Sequence, residues 1–396
     1  TGIIGNVVES NDDFKRVCEE FESVSESLKT SQTKHGHSLS GFEDDVNEML
    51  AYWGTKFKLY VRAPNPGEIV KNLTHFEFTD PSCEGQSLDS SQFGSGWQRY
   101  FIFTLINVGA KYVTKTVSKK TKDFVPDMTL LLFEEPEAFL HPPQQEQLAD
   151  SLRKWTSNNK NMQVLCSTHS PHFVSKDIRN ITDLIRLERD HDGNVSCHQI
   201  SDDKWKKIAD TNQYVYKILQ ECHINIHEDD LKQDMELVKQ CLWMNPTRCI
   251  AFFAKHVLLV EGPTEVGLIN RLLSDGLICS YPSGIVVVDS MGKYNIARFM
   301  NLFSALGIRH SVLHDDDHDN KEHKKLNELI KNSCNEHTVG YQTIRGSLEK
   351  LLGIGPPTKK HRKPQHVLYQ YEKGLIPEKN LQALCTLVRS CLPVFL

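Results

Sequence analysis

Three apolar runs in the second half of this chain each end in acid: HVLLVEG (256–262), GIVVVDS (284–290) and HSVLHDDD (310–317). Unbroken Val, Ile and Leu of this length mark strands buried on both faces. Helix-length stretches separate them, and strands that alternate with helices close into a parallel sheet through right-handed crossovers. Ligands gather at the carboxyl ends of such strands. The acids therefore fall where a site is expected.

The stretch SVLHDDDHDN (311–320) admits three readings. A calcium loop counted from Asp315 places Asp317 and Asp319 correctly, but puts Asn320 where the turn needs Gly and Leu326 where it needs a bidentate acid. That reading fails. A solvated turn is the usual fate of a charge run. Against it, Val312 and Leu313 form a short buried strand that delivers the acids to a sheet edge. The segment VLLVEGPTE shifts the balance towards a metal site, because Glu261 ends a second buried strand and Glu265 lies four residues on, on one face of a starting helix. Adjacent parallel strands would converge Glu261, Glu265, Asp315 and Asp317. Hard oxygen ligands in that number suit Mg2+ or Mn2+. Two such ions activate a water and stabilise the leaving oxygen in phosphodiester cleavage. Asp316 is expected to support the ligands or point away, and His314 and His318 to orient the carboxylates or to serve as ligands themselves.

A second acidic strand end lies earlier. MTLLLFEEPEAFLHP places Glu134 and Glu135 after an apolar strand, QVLCSTHSP ends another strand at His169, and FGSGWQR offers Ser95 and Gly96 just before an apolar helix. One acid at such an edge can hold a magnesium-bound water and the next can orient the water that attacks a γ-phosphate. Backbone N–H groups at the helix start suit an anion. Helices are expected over 11–31 and in FEDDVNEMLAYW, strands in FKLYVRAP (57–64) and THFEFTD (74–80), and a hairpin over 184–200 turning at Asp192-Gly193.

Bulk composition narrows the class. The 396 residues are 39% hydrophobic and 24% charged, with a formal net charge of −5. The length allows two or three domains. No apolar run reaches the roughly 20 residues that span a bilayer, so no membrane partner is expected. Eleven cysteines without a CxxC pair read as reduced thiols, hence a cytoplasmic protein. Cys222, His223 and His227 lack a second ligand pair at zinc spacing. The overall charge does not announce nucleic acid, so a DNA-binding surface must be local, and Lys359, Lys360, Arg362 and Lys363 supply one candidate.

Taken in order, the earlier motifs resemble the ABC-type ATPase heads. The resemblance makes Glu134 the Walker B acid, Glu135 the catalytic base, Ala138 to Pro142 the D-loop, His169 the switch histidine and Ser95-Gly96 the signature loop. Glu replaces the usual Walker B Asp, and GSGWQ replaces LSGGQ. No GxxxxGK[ST] occurs. With Thr1 as first residue, the N-terminal lobe carrying it is expected to be missing, and ATP turnover is expected only when that lobe is supplied.

The later motifs resemble the TOPRIM domain. A TOPRIM block after an ABC-type head resembles the OLD (overcoming lysogenisation defect) family of ATPase-coupled nucleases, which includes the nuclease subunit of the Gabija phage-defence system and retron effectors. The resemblance implies a second ion held with help from Ser347 and Glu349, and a late lysine, best matched by Lys363, that steadies the transition state. It also implies a role for the helices of residues 1–60 in making a dimer or tetramer, and a helicase-like or reverse-transcriptase and retron-DNA partner.

The expected architecture is α/β: a helical segment (1–60), the C-terminal lobe of an ABC-type head (61–202), a helical linker (203–250) and a TOPRIM domain (251–396) with a parallel sheet flanked by helices. The expected activity is metal-dependent DNA endonucleolysis regulated by ATP, in anti-phage defence. Two alternatives are a non-nuclease TOPRIM module and a RecF- or SMC-like DNA-binding ATPase in recombination or repair.

Overall fold

A computed structural model of the chain describes residues 11–51, 55–61, 77–79, 87–113, 128–221 except 159, 177 and 191, 243–280, 284–317 and 321–393, with a few isolated positions besides. Cys222, His223, His227, His318 and Asp319 lie outside the described residues. Contacts divide the chain into two compact units, residues 1–141 with 151–166, and 142–150 with 167–396.

In the first unit, helix α1 (Asp12–Thr30) starts at Asn11, whose side chain accepts from the Asp13 N–H at 2.8 Å. Helix α2 (Leu39–Leu50) starts at Ser38, whose hydroxyl accepts from Gly41 N–H at 3.0 Å. Each cap satisfies a donor that the first helical turn would otherwise leave open. Lys29 and Glu43 tie the two helices at 2.9 Å. The described part of FKLYVRAP is not a strand. Asn47 holds both backbone groups of Phe57, at 2.7 and 2.9 Å, and Glu43 accepts from Leu59 N–H, so these groups are satisfied by α2 rather than by a ladder. Helix α3 (Ser95–Val113) follows, with Trp97 stacked between Phe93 and Phe101 and Phe78 edge-on to all three. Strand β1 (Thr129–Glu134) pairs with β2 (Met162–Ser167), and helix α4 (Pro142–Asn158) lies between them in sequence.

Besides the first part of α4 (142–150), the second unit contains helix α5 (Pro171–Lys176) and the antiparallel hairpin of β3 (Ile185–Arg189) and β4 (Val195–Gln199). Its turn has Gly193 at φ +87°, a conformation cheap only for glycine. Helix α6 (Asp202–Glu221) follows. The sheet comes next: β5 (His256–Val260), α7 (Pro263–Ser274), β6 (Ile285–Asp289), α8 (Ile296–Ala305), β7 (His310–Asp315), α9 (Lys321–Asn332) and β8 (Thr338–Ile344). The strand order is β8-β7-β5-β6, parallel throughout. Helices α10 (Leu348–Leu352), α11 (Lys363–Glu372) and α12 (Glu378–Cys391) complete it.

The period-2 geometry of a strand explains why β5 is apolar at every position. Val257 and Leu259 belong to one core with Phe299, Phe303 and Leu326, whereas Leu258 and Val260 belong to another with Leu268, Leu272, Leu348 and Leu384. Val312 and Leu313 of β7 divide the same way. Helices thus cover both faces of the sheet. Ile208 of α6 joins the first of these cores, so this helix packs onto the sheet domain. With both faces buried, the acids at the carboxyl edge of the sheet are where chemistry is sought.

Candidate metal centre

Strand β5 runs straight into Glu261, and the extended Gly262 starts α7 with Pro263 in its first position. Pro suits that position because its missing N–H has no helical partner to lose. Glu265 follows in the first turn, buried. On the neighbouring strand, Asp315 ends β7, and its backbone N–H donates to Glu261 Oε1 at 2.8 Å. The two strand ends are therefore stitched together through a side chain of the site itself.

The three consecutive aspartates take three different directions. Asp315 is buried, and its Oδ1 has no hydrogen-bond partner among the described residues. Asp316 turns towards the end of β8, where its Oδ1 accepts from Gly346 N–H at 2.7 Å and its own N–H donates to the Ile344 carbonyl. Asp317 adopts φ +44°, and its Oδ2 lies 3.2 Å from Lys293 Nζ and 3.1 Å from His323 Nδ1. His314 faces the neighbouring strand: Nδ1 donates to the Asp315 carbonyl and Nε2 accepts from the Tyr341 hydroxyl at 2.9 Å. Burial pushes its pKa down to about 4, so it stays neutral in this role.

Glu349, buried on α10, lies 3.2 Å from Lys363 Nζ, and Glu265 lies 3.9 Å from the same ammonium. Ser347 caps α10, its hydroxyl accepting from Lys350 N–H at 3.4 Å. Lys363 begins α11 directly after the short helix Lys360–Arg362, and Lys359 and Arg362 are exposed beside it.

The electrostatics of this edge are those of crowded, dehydrated acids. Burial raises the Asp315 carboxyl to about 8, Glu261, Glu265 and Asp317 push the same way, and Lys363 opposes them. Burial likewise raises Glu261 to about 7 against the pull of Lys293, and raises Glu265 against that of Lys363. Burial alone would lower Lys363, yet Glu265, Glu349 and Asp315 together raise its pKa, so the ammonium stays charged. Among the described residues, no three acidic, His or Cys side chains are placed so as to hold one ion as they stand. The donor chemistry nonetheless fits a divalent cation: hard carboxylate oxygens, one of them buried without a partner, whose mutual repulsion a cation relieves.

Two supports of the site have no signal at short sequence range. Arg248 reaches the end of β6 and grips Asp289 through Nε at 2.9 Å, so the acid that ends this strand is ion-paired. Lys293, after the turn at Gly292, is buried and donates to the Asp315 carbonyl as well as to Asp317.

In the first unit, Gly96 packs against the turn that follows Glu134 and Glu135. A Cβ on Gly96 would meet the Phe139 carbonyl oxygen at 2.5 Å, so no side chain fits. Ser95 opens α3, and Arg99 lies over the Phe139 ring at 4.8 Å. Glu134 ends β1, and Glu135 follows at φ +42° with its carbonyl accepting from Ala138 N–H. His169 belongs to the second unit, where its ring lies 6.2 Å from that of Phe253.

Comparison with known proteins finds two matching domains. Residues 6–174 match the model of an AAA ATPase domain, and residues 252–317 match the TOPRIM domain of proteins like the overcoming lysogenization defect protein. The chain is similar to the Old nuclease of Escherichia phage P2, 26% identical over 70% of this chain and 42% of that protein. It is 24% identical to endonuclease GajA of Bacillus cereus, over 72% of this chain and 40% of that one. It is also 24% identical to the OLD nuclease of Thermus scotoductus, over 87% and 60% respectively. The chain thus spans between two and three fifths of the length of these curated relatives. TOPRIM nucleases generally use divalent metals, as the donor set here would require. With a match to an AAA ATPase domain followed by a match to an OLD-like TOPRIM domain, the chain is similar in its domain order to the OLD family of ATPase–TOPRIM nucleases.

Proposed function

We propose that the second unit carries the cutting centre of an ATP-regulated DNA endonuclease acting in anti-phage defence. The observation that supports this best is the buried, mutually repelling set of Glu261, Glu265 and Asp315 at one sheet edge, with Lys363 beside it. Glu261, Asp315 and Asp317 would hold one Mg2+ or Mn2+, and Glu265 with Glu349 the second. Ser347 would join them on leaving its cap. Bound ions would supply Lewis acidity and an ionised water for phosphodiester hydrolysis.

The chain's own residues do the rest. Lys363 places a fixed positive charge where a phosphate oxygen gains charge, and its salt bridge to Glu349 aims the ammonium. Lys359, Lys360 and Arg362 bind the DNA backbone, which makes affinity fall with salt. In this reading residues 1–60 assemble the homo-oligomer, 61–202 form the ATPase part, with Glu134, Glu135, His169, Ser95 and Gly96 at its ATP and Mg2+ site, 203–250 connect the two, and 251–396 cut. The test is plasmid DNA incubated with Mg2+ or Mn2+ and the chain, beside Glu261→Ala. Cleavage that needs the ion and vanishes in the variant supports the reading. No cleavage with any divalent ion, by the chain or by a longer protein containing it, contradicts it.

A further inference from the structure

Lys293 links the turn after β6 to the end of β7. The turn that carries it is tied to β5 by Ser290, whose N–H and hydroxyl both donate to the Val260 carbonyl at 2.9 Å. Gly292 adds a third tie, its N–H donating to the Glu261 carbonyl at 2.7 Å. Two successive residues of this turn have positive φ, Met291 at +54° and Gly292 at +109°. The Gly292 conformation, with ψ 153°, is one that only glycine adopts without strain. The turn is therefore specified, and its product is a lysine with 3% exposure whose ammonium reaches across to β7.

There it makes two bonds of different kind. One goes to the Asp315 carbonyl, which fixes the end of the strand, and the other to Asp317 Oδ2 at 3.2 Å. Asp317 needs such a hold. It adopts a left-handed backbone at φ +44° that an L-residue occupies only under constraint. Its N–H bond to the Gly346 carbonyl is long, at 3.3 Å.

We propose that Lys293 is a positioning residue for the metal centre, holding Asp317 in its left-handed conformation so that the carboxylate is presented to the ion beside Asp315. The inference rests on the metal-centre reading above and adds a residue to it. In this role Lys293 acts through Asp317. A lysine kept only as counter-charge would have the opposite consequence. Removing it would make the site more negative and tighten cation binding, whereas losing the hold on Asp317 weakens it.

The experiment is titration of the full chain with Mn2+, free ion read by electron paramagnetic resonance, for wild type, Lys293→Met, Lys293→Gln, Asp317→Asn and the double variant Lys293→Met/Asp317→Asn. The expected result is at least a tenfold loss of Mn2+ affinity in Lys293→Met and a smaller loss in Lys293→Gln, which keeps one donor. The double variant is expected to be no weaker than Asp317→Asn alone. Equal or tighter binding by Lys293→Met overturns the inference and leaves the metal centre standing, as does an additive loss in the double variant. A lowered melting temperature with unchanged affinity marks a purely structural lysine and overturns it too. If Lys293→Met does not fold, Lys293→Gln is read by the same criterion. Wild-type protein that binds no Mn2+ removes both the inference and the metal centre.

Discussion

The backbone N–H of Asp315 donates to Glu261 Oε1 at 2.8 Å, so two acids 54 residues apart form one unit before any ion is considered. Glu261 has a structural duty and a chemical one, and substitution separates them. Glu261→Gln keeps a carbonyl oxygen for the Asp315 N–H and loses the charge; Glu261→Ala loses both. Both variants should lose cleavage by at least about 100-fold, the upper range for disturbing a residue that merely supports a metal ligand. Glu261→Ala alone should also lose about 1–3 kcal/mol in denaturant unfolding, the cost of an unsatisfied buried donor.

A second outcome concerns acid. His310, fully buried at the start of β7, donates through Nδ1 to the Ile308 carbonyl at 2.9 Å and accepts through Nε2 from the Thr338 hydroxyl at 3.1 Å. Acceptance at Nε2 needs the neutral ring, and burial lowers its pKa to about 4. The unfolded chain protonates this ring near 6.5. Because the folded value is the lower one, its contribution is whole above about 6.5 and is lost as pH falls towards 4, amounting to about 3 kcal/mol. The stability difference between wild type and His310→Gln should shrink by that amount between pH 7 and pH 4, measured by urea unfolding. A difference independent of pH would contradict it.

The ATPase unit offers a steric test. Gly94 has open space where a Cβ would be built, whereas the Gly96 Cβ would strike the Phe139 carbonyl. Gly94→Ala should unfold as wild type does. Gly96→Ala should lose about 1–3 kcal/mol, the usual cost of overpacking, and expose the turn after Glu135 to limited proteolysis.

ATP turnover is the fourth outcome. The chain contains no GxxxxGK[ST], so nothing in it matches the lysine that grips the β- and γ-phosphates. Phosphate release from ATP by this chain alone should stay at background, in Glu135→Gln as in wild type. Turnover that the variant abolishes would show that the residues present suffice.

What the sequence made legible follows from range. The apolar run Val257–Val260 ending in Glu261 reads directly as a strand delivering an acid, because both faces of that strand are buried and no polar residue interrupts it. Asp316 was expected to support the ligands or point away, and in the structure it accepts from the Gly346 N–H. Ser347, a ligand by the resemblance, caps α10 in the structure. Over its described part, 57–61, the strand expected over 57–64 was misread from its own residues, since Asn47 and Glu43 of α2 take backbone groups of Phe57 and Leu59 that a sheet would have used. Arg248 and Lys293 were illegible for a different reason. Each acts on an acid 41 or 24 residues away, and a basic residue near a turn looks exposed until the sheet closes over it.

Anomalous diffraction from crystals of this chain grown with Mn2+ tests the metal centre most directly. The account predicts an anomalous peak within coordination distance of Glu261, Asp315 and Asp317, weakened or lost in crystals of Asp315→Asn. Mn2+-grown crystals without a peak at the carboxyl ends of β5 and β7, or with the same peak in the variant, would contradict it.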